Sequence, residues 1–155
     1  DFVILHSGIN DCRPEAFSEF QKTVIGKFSG PLFRFLRNYL YHSKLIKMRQ
    51  VRRVSKRSFK KTLKKLKMIF SDSKVFCLEI SAGADYERAR PGVSKRVVEY
   101  NNIINEVYGE DCVSLMGRLQ KEDGFNVDNF HLNAIGHQIV AVTLKAKISH
   151  CLKTS

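Results

Sequence analysis

The sequence predicts an α/β fold in which helices pack on both faces of a parallel sheet. Short apolar runs alternate along the chain with longer segments whose apolar residues recur at helical spacing. The resulting order of strand, helix, strand, helix, strand, helix is typical of parallel strands joined by right-handed crossovers. The chain has 155 residues, the size of one domain, and its 43% hydrophobic content suffices for a core. We therefore expect residues 1–155 to belong to a single three-layer α/β/α domain.

Three short apolar runs predict the strands, which are Phe2–His6, Lys74–Ile80 and Cys112–Met116. Unbroken runs of this length are typical of strands that are covered on both faces. Cys77 and Cys112 fall within two of them, where cysteine usually acts as a small buried apolar residue. The four cysteines are widely separated and have no C-x-x-C spacing. This pattern favours reduced thiols and a cytoplasmic setting, and it argues against zinc.

Amphipathic spacing predicts helices near Ala16–Ile25, after Ser29-Gly30-Pro31 over residues 32–40, and over Phe59–Phe70, Val93–Tyr108 and Leu132–Leu152. Ser55 or Ser58 is the expected N-cap of the Phe59–Phe70 helix, and Gly109 ends the Val93–Tyr108 helix. In the terminal helix the core candidates are Ile135, Ile139, Val142, Leu144 and Ile148.

Three segments between these helices lack a clear period. Tyr41–Arg57 is either a loop or a continuation of a basic helix. Ser81–Pro91 is expected to be a loop that lines the substrate site, because it follows a parallel strand. Gly117–Val127 is expected to be a polar loop.

The positive charge is concentrated in one part of the chain. The net charge is +12, and no acidic residue occurs between Glu19 and Asp72. The Arg49–Lys67 region is the densest part of this interval, and such a patch attracts phosphate, anionic lipid or acidic polysaccharide. Few aromatic residues alternate with the charges and no nucleic-acid motif occurs, so recognition of specific bases is not expected. No apolar run approaches the roughly 20 residues that span a bilayer.

The most informative stretch is Asp128-Asn129-Phe130-His131, which lies just before the terminal helix. It places a carboxylate three residues before an imidazole, and Gly124 lies upstream in a polar loop. A neutral imidazole takes a proton from a hydroxyl efficiently when a nearby carboxylate fixes its tautomer and steadies the imidazolium. The spacing therefore makes His131 the candidate base and Asp128 its orienting partner.

A second stretch follows the first predicted strand and reads Gly8-Ile9-Asn10-Asp11. It places a glycine and an Asn carboxamide at the carboxyl end of that strand, which is where open α/β sheets bind ligands. Asn10 is the candidate side-chain donor to an oxyanion, and Gly8 shapes the turn. The other interpretation of Asn10 is an ordinary turn residue.

Together the two stretches resemble the SGNH (GDSL-type) hydrolase superfamily. Gly8-x-Asn10-Asp11 is similar to its third block and Asp128-x-x-His131 to its fifth. The longer segment from Leu5 to Pro14 also resembles family members that occur with bacterial surface-polysaccharide genes. The resemblance implies a flavodoxin-like fold with a five-stranded sheet, and a serine hydrolase in which His131 and Asp128 are catalytic and Asn10 and Gly8 form the oxyanion hole. It implies no cofactor and no metal.

The family's nucleophile lies in a Gly-Asp-Ser block, and a further oxyanion-hole glycine lies in a second block. Both precede the Gly-x-Asn-Asp block, and no Gly-Asp-Ser occurs in this sequence. We therefore expect the chain to be an N-terminally incomplete SGNH-like domain, roughly its C-terminal two-thirds, with two N-terminal strands missing. Ser7 and Cys12 are weaker candidate nucleophiles, since Ser7 lacks the Gly-x-Ser-x-Gly elbow. A metal cluster of His6, Asp11, His131 and His137 has no supporting ligand spacing.

The leading hypothesis is an esterase that removes an ester-linked acyl group, such as an acetyl group on a surface polysaccharide, with its serine outside this chain. The alternative is a non-catalytic remnant whose basic helices, in the Arg49–Lys67 region, bind an anionic polymer or a membrane surface. A third hypothesis is that a partner chain supplies the serine.

Overall fold

A computed structural model describes residues 1–27 and 43–154. In chain order the elements are β1 (Phe2–Leu5), α1 (Ile9–Cys12), β2 (Pro14–Glu15), α2 (Glu19–Gly26), α3 (Ser43–Arg49), β3 (Val51–Arg52), α4 (Lys56–Ile69), β4 (Lys74–Leu78), α5 (Tyr86–Ala89), α6 (Val93–Tyr108), a 3₁₀ turn (Gly109–Asp111), β5 (Cys112–Val113), α7 (Met116–Lys121) and α8 (Ala134–Thr154). The fold is mixed α/β, as the sequence predicts. The helix predicted over residues 32–40 lies outside the described residues.

The main sheet is parallel and has the strand order β1-β4-β5. Phe2 is in register with Lys74 and Leu5 with Cys77, while Cys77 and Leu78 are in register with Cys112 and Val113 on the other side. A parallel order is expected because long helical crossovers connect the strands. The carboxyl ends of β1 and β4 therefore open at the same edge of the sheet.

Alternation along β4 divides the interior into two cores. Val75 and Cys77 face a core formed with α4 and α6, whereas Phe76 and Leu78 face a core formed with α7 and α8. Successive side chains of a strand point to opposite faces, so a strand with apolar residues at every position is buried on both. Helices thus cover the two faces of β4, and the sheet is the middle of three layers.

Helix α6 begins and ends where the sequence predicts. Gly92 precedes it with a φ of 91°, and the Glu87 carboxylate accepts hydrogen bonds from the backbone N–H groups of Gly92 and Ser94. A carboxylate at this position satisfies N–H groups that have no partner within the helix. Its residues Val97, Tyr100, Ile104 and Val107 are buried against the sheet and α4.

Helix α4 begins at Lys56, three residues before the predicted start. Ser55 is its N-cap, and the Ser55 hydroxyl accepts a hydrogen bond from the Ser58 N–H at 3.1 Å. Phe59 and Leu63 are buried, so the lysines occupy the opposite side of the helix.

The segment Tyr41–Arg57, for which two structures were predicted, contains both a helix and a strand where it is described. Helix α3 is followed by β3, which pairs antiparallel with β2. The buried Arg96 holds this segment to α6, because its guanidinium donates to the carbonyls of Gln50 and, at 3.1 Å, Val51. Beside it, the buried Glu15 carboxylate lies 2.7 Å from the guanidinium of Arg13.

For two segments between β4 and α8 the predicted secondary structure is wrong. The last strand ends at Val113 rather than at Met116, and the predicted loop Gly117–Val127 contains most of α7. Leu119 of α7 is buried in the second core. Because α7 is short and contains polar residues and Gly117, its sequence has no apolar period that would predict a helix. A one-turn helix, α5, also lies within the predicted loop Ser81–Pro91.

The core face of α8 differs from the predicted one. Ile139 and Leu144 are buried, but Ile135 and Val142 are exposed. Apolar residues occur around much of the circumference of α8, so spacing alone does not select a face. None of the helices in the described ranges combines the length and apolarity needed to cross a bilayer.

Candidate active site

A cleft of about 250 Å³ opens at the carboxyl edge of the parallel sheet. Its lining consists of His6, Ser7, Ile9, Ile80, Ser81, Phe130, His131, Leu132 and His137. His6 and Ser7 follow β1, Ile80 and Ser81 follow β4, and the remaining residues surround the start of α8. The second motif contributes Phe130 and His131 to the cleft, whereas the first motif contributes only Ile9. Ser81 lies in the loop that was expected to line the site.

The turn after β1 depends on Gly8. Gly8 is buried and has a φ of 118°, a conformation that other residues rarely adopt. A Cβ atom at this position would lie 2.7 Å from Cδ1 of Ile80. The Gly8 carbonyl accepts hydrogen bonds from the N–H groups of Asp11 and Cys12, both at 3.0 Å, and so starts α1.

Asp128 and His131 are in direct contact. Oδ2 of Asp128 lies 2.6 Å from Nδ1 of His131, while Oδ1 accepts hydrogen bonds from the N–H groups of Phe130 and His131, both at 3.0 Å. The hydrogen bonds from His131 are the main reason that the pKa of Asp128 is lowered to about 2. Asp128 is therefore a carboxylate at neutral pH, and it leaves Nε2 of His131 as the nitrogen available for proton transfer.

Backbone hydrogen bonds close the loop that carries this pair. The Asn126 N–H donates to the His131 carbonyl, and the Asn129 N–H donates to the Asn126 carbonyl, both at 2.8 Å. Asn129 has a φ of 55°, which Asn tolerates better than most residues. Its carbonyl accepts a hydrogen bond from the Gly83 N–H at 2.8 Å, which ties the loop to the segment after β4.

Asn133 joins this loop to the start of α8. Its side-chain oxygen accepts a hydrogen bond from the Gly136 N–H at 2.9 Å, the arrangement of an N-cap. Its amide group donates to the carbonyls of Asp123 at 2.7 Å and Phe125 at 2.9 Å. Gly124 and Gly136 touch through their backbones, and a Cβ atom on Gly136 would lie 2.1 Å from the Gly124 oxygen.

Aromatic rings form one wall of the cleft. The Phe130 ring stacks on Tyr86, with ring centroids 5.7 Å apart, and it contacts the His131 ring at 3.9 Å. Such contacts limit the orientations that the imidazole can adopt. Ile9, Ile80 and Leu132 add aliphatic surface, so the cleft is mostly apolar around its imidazole and hydroxyl groups.

Two further histidines lie in the cleft. His6 is exposed at the cleft, yet the loss of hydration where it packs against the protein lowers its pKa, and the nearby His137 lowers it further. His6 therefore resists protonation more than a fully hydrated histidine does. Within the described residues, His6, Asp11, His131 and His137 do not converge as a metal-binding group.

The other candidate residues differ in their surroundings. Asn10 is exposed on α1 and is not among the described residues that line the cleft. Ser7 does line the cleft, on the strand-to-helix turn. Cys12 is fully buried, and burial raises the pKa of its thiol to about 12, which makes it a poor nucleophile.

The sequence motifs do not indicate His6, Ile80, Phe130 or Leu132 as site residues. A topological signal could have found two of them, because His6 and Ile80 come directly after parallel strands whose carboxyl ends share an edge. Phe130 and Leu132 are the sequence neighbours of the candidate base His131 and therefore line the cleft with it. His137 is six residues beyond His131, and only the path of the chain into α8 brings it to the same site.

No family model matches the sequence, and the comparisons with curated proteins and with solved structures gave no match either. The SGNH resemblance therefore depends on its two motif blocks alone.

Proposed function

We propose that this chain is part of an SGNH-type serine hydrolase that cleaves an ester. The observation that carries the proposal is the 2.6 Å contact between Asp128 and Nδ1 of His131 in a cleft at the carboxyl edge of a parallel sheet. A carboxylate, an imidazole and an adjacent apolar cleft are the parts that acyl transfer needs apart from a nucleophile and oxyanion donors.

In the proposed reaction a serine hydroxyl attacks the ester carbonyl while Nε2 of His131 takes the serine proton. Asp128 stabilises the imidazolium, which then gives the proton to the departing alcohol. Water, activated by the same nitrogen, attacks the acyl-enzyme and releases the acid. Asn10 is proposed to donate its amide N–H to the oxyanion, with Gly8 fixing the turn from which it projects.

The size of the cleft favours a small acyl group. A volume of about 250 Å³ lies below the range of roughly 300 to 1,000 Å³ that holds drug-sized ligands. An acetyl or similar short ester fits this space with its methyl group against Ile80 or Phe130. The alcohol portion, proposed to be a surface polysaccharide, would extend outside the cleft.

The nucleophile is proposed to come from a polypeptide segment outside residues 1–155. Support for this comes from the outer edge of β1, which is unpaired in the described sheet and carries the exposed Phe2 and Ile4. A groove of about 380 Å³ between β1 and α4 shares His6 and Ser7 with the cleft. A strand laid along this groove would end beside His6 and Ser7, which line the same cleft as His131. Unpaired apolar edges usually acquire a partner.

A reducing compartment such as the cytoplasm suits the protein, because all four cysteines are free thiols.

The test uses the polypeptide isolated from its natural source. We expect its mass to exceed the 17.8 kDa of these residues. A fluorophosphonate probe should label it at a serine outside residues 1–155, and it should hydrolyse p-nitrophenyl acetate. His131→Ala in the same polypeptide should reduce this hydrolysis by at least about a hundredfold.

His150→Ala is the matched control, because His150 lies on α8 outside the cleft. It should retain the activity of the parent protein. Labelling at Ser7 would contradict an external nucleophile, and an unlabelled, inactive natural polypeptide would contradict the hydrolase proposal itself.

A further inference from the structure

The outer side of α4 carries a stripe of positive charge that the proposed reaction does not use. Arg57, Lys61, Lys64 and Lys65 are all exposed and lie at positions i, i+4, i+7 and i+8, so they share one side of the helix. We refer to these four residues as the outer basic stripe. Phe59 and Leu63 lie on the opposite side of α4 and are buried in the core.

Neighbouring carboxylates form ion pairs with the flank of α4 but not with the stripe. Of the four stripe residues, Lys64 is close enough to Glu106 to help lower the pKa of that carboxyl, which is lowered mainly by its hydrogen bond to Lys60. Lys60 pairs with Glu106 of α6, and Lys56 lies 3.5 Å from Glu99. The outer basic stripe forms no ion pair with the described residues. Residues 20–71, a range that includes the segment 28–42, contain no aspartate or glutamate at all. Residues 20–71, about a third of the chain, therefore supply no carboxylate that could neutralise the stripe.

Apolar side chains accompany these charges at the carboxyl end of α4. Met68 continues the stripe and is 75% exposed, and Ile69 beside it is 60% exposed. Exposed apolar side chains next to lysines are typical of helices that lie at a membrane interface. We propose that the outer basic stripe, together with Met68 and Ile69, binds the surface of an anionic lipid bilayer.

The same observations decide between a bilayer and an acidic polymer. Both would attract the lysines, but only a bilayer offers an apolar layer that Met68 and Ile69 can enter. The apolar side of α4 is buried in the protein core, so the helix lies flat on the headgroups and only the side chains of Met68 and Ile69 enter the apolar layer. The N-terminal end of α4 approaches the cleft, since Phe59 lies next to Gly8. Binding would thus hold the cleft close to the membrane surface.

The experiment measures co-sedimentation of the whole chain with phosphatidylcholine vesicles, with and without phosphatidylglycerol. We expect binding only to the anionic vesicles, and loss of binding at about 1 M salt, where screening is nearly complete. The variant R57Q/K61Q/K64Q/K65Q should bind on the order of a hundredfold more weakly, since each cation near an anionic surface contributes separately. Glutamine keeps helix propensity, so the fold should be retained.

The control K95Q/K121Q/K145Q/K153Q also removes four charges from exposed residues, all of them outside α4. It should bind within about threefold of the parent chain, because distant charges are screened. Equal loss in both variants would overturn the proposal in favour of a general effect of net charge. Absence of vesicle binding, with stripe-dependent binding to heparin, would overturn it in favour of an acidic polymer.

A second pair of variants tests the apolar contribution. Met68→Gln should weaken vesicle binding roughly threefold to tenfold, because the variant lacks a methionine that would be partly buried in the bilayer. Met48→Gln, at a methionine of α3 that is 81% exposed, should leave binding unchanged. Identical effects of the two substitutions would contradict insertion of Met68. This inference does not depend on the hydrolase proposal, since a chain without esterase activity would carry the same surface.

Discussion

The two motif blocks are held in very different ways. In the Asp128–His131 block both carboxylate oxygens are hydrogen-bonded, and residues from Asp123 to Gly136 supply most of the contacts that fix the loop. In the Gly8–Asp11 block the backbone turn is fixed, yet the Asn10 side chain is exposed and makes no hydrogen bond with the described residues. The polar groups of the Asp128–His131 block are thus paired with each other, whereas the side-chain amide of Asn10 in the Gly8–Asp11 block is available to a partner. An oxyanion donor would have this property, because its partner exists only during the reaction.

The largest expected effect comes from breaking the self-contained block at Gly136. Gly136→Ala would place Cβ 2.1 Å from the Gly124 oxygen, so the backbone must shift. We expect the free energy of unfolding to fall by on the order of 3 kcal/mol. Gly117→Ala is the control, because nothing lies within 4 Å of its Cβ position in α7. It should raise stability slightly, as alanine does in helices. Urea denaturation of both variants measures the difference.

The second prediction compares one asparagine from each block, Asn10 and Asn133, by the effect of an alanine substitution on stability and on kcat. Asn10→Ala should leave the free energy of unfolding within about 0.5 kcal/mol of the parent value. In the proposed hydrolase it should lower kcat by about a hundredfold, the usual result of removing an oxyanion donor. Asn133→Ala removes an N-cap and two further hydrogen bonds, so it should cost about 1–2 kcal/mol of stability. Destabilisation by Asn10→Ala without an effect on kcat would mean that Asn10 is only a turn residue.

A smaller effect concerns the charge of Asp128. Its pKa is lowered to about 2 in the folded protein, mainly by hydrogen bonding to His131, from an unfolded value near 3.9. The stabilisation is therefore present above about pH 4 and is lost as the pH falls through about 2. Both side chains are largely exposed, so we expect less than about 1 kcal/mol. We would measure the free energy of unfolding of the parent protein and of Asp128→Asn by denaturation between these pH values. The difference between the two proteins should shrink toward the acid end of the range. A constant difference would assign the effect to the neutral hydrogen bonds.

Local signals explain what the sequence predicted well. Helix α6 has apolar residues at its inward positions apart from Arg96 and a glycine at each end, and both of its bounds were predicted correctly. The strands β1 and β4 were found by their short apolar runs. The contact between Asp128 and His131 could be expected because the two residues lie three positions apart in one loop. Their catalytic role stays a prediction. Each of these features depends on residues that are close together in the sequence.

Features that depend on distant residues were missed. Helix α7 is recognised only through Leu119, whose burial requires α8 and β4 beside it. Ile135 and Val142 were placed in the core because α8 is apolar on several sides, and only packing selects the side that is buried. His6, Phe130 and His137 come together in the cleft through the parallel order of the strands and the path of the chain into α8. The spacing of these residues along the sequence does not predict that they line the same cleft.

The smallest expected effect concerns the coupling of His6 and His137 within the cleft. Loss of hydration is the main reason that the pKa of the exposed His6 is lowered, and the positive charge of His137 contributes in the same direction. His137→Gln should therefore move the pKa of His6 upward but not restore its ordinary value. Because the unfolded chain takes up a proton at His6 more readily, stability decreases as the pH falls below about 6.5. NMR titration of the His6 ring in both proteins measures the shift. An unchanged titration would mean that loss of hydration alone controls His6, and the cleft would then contain two independent imidazoles beside the Asp128–His131 pair.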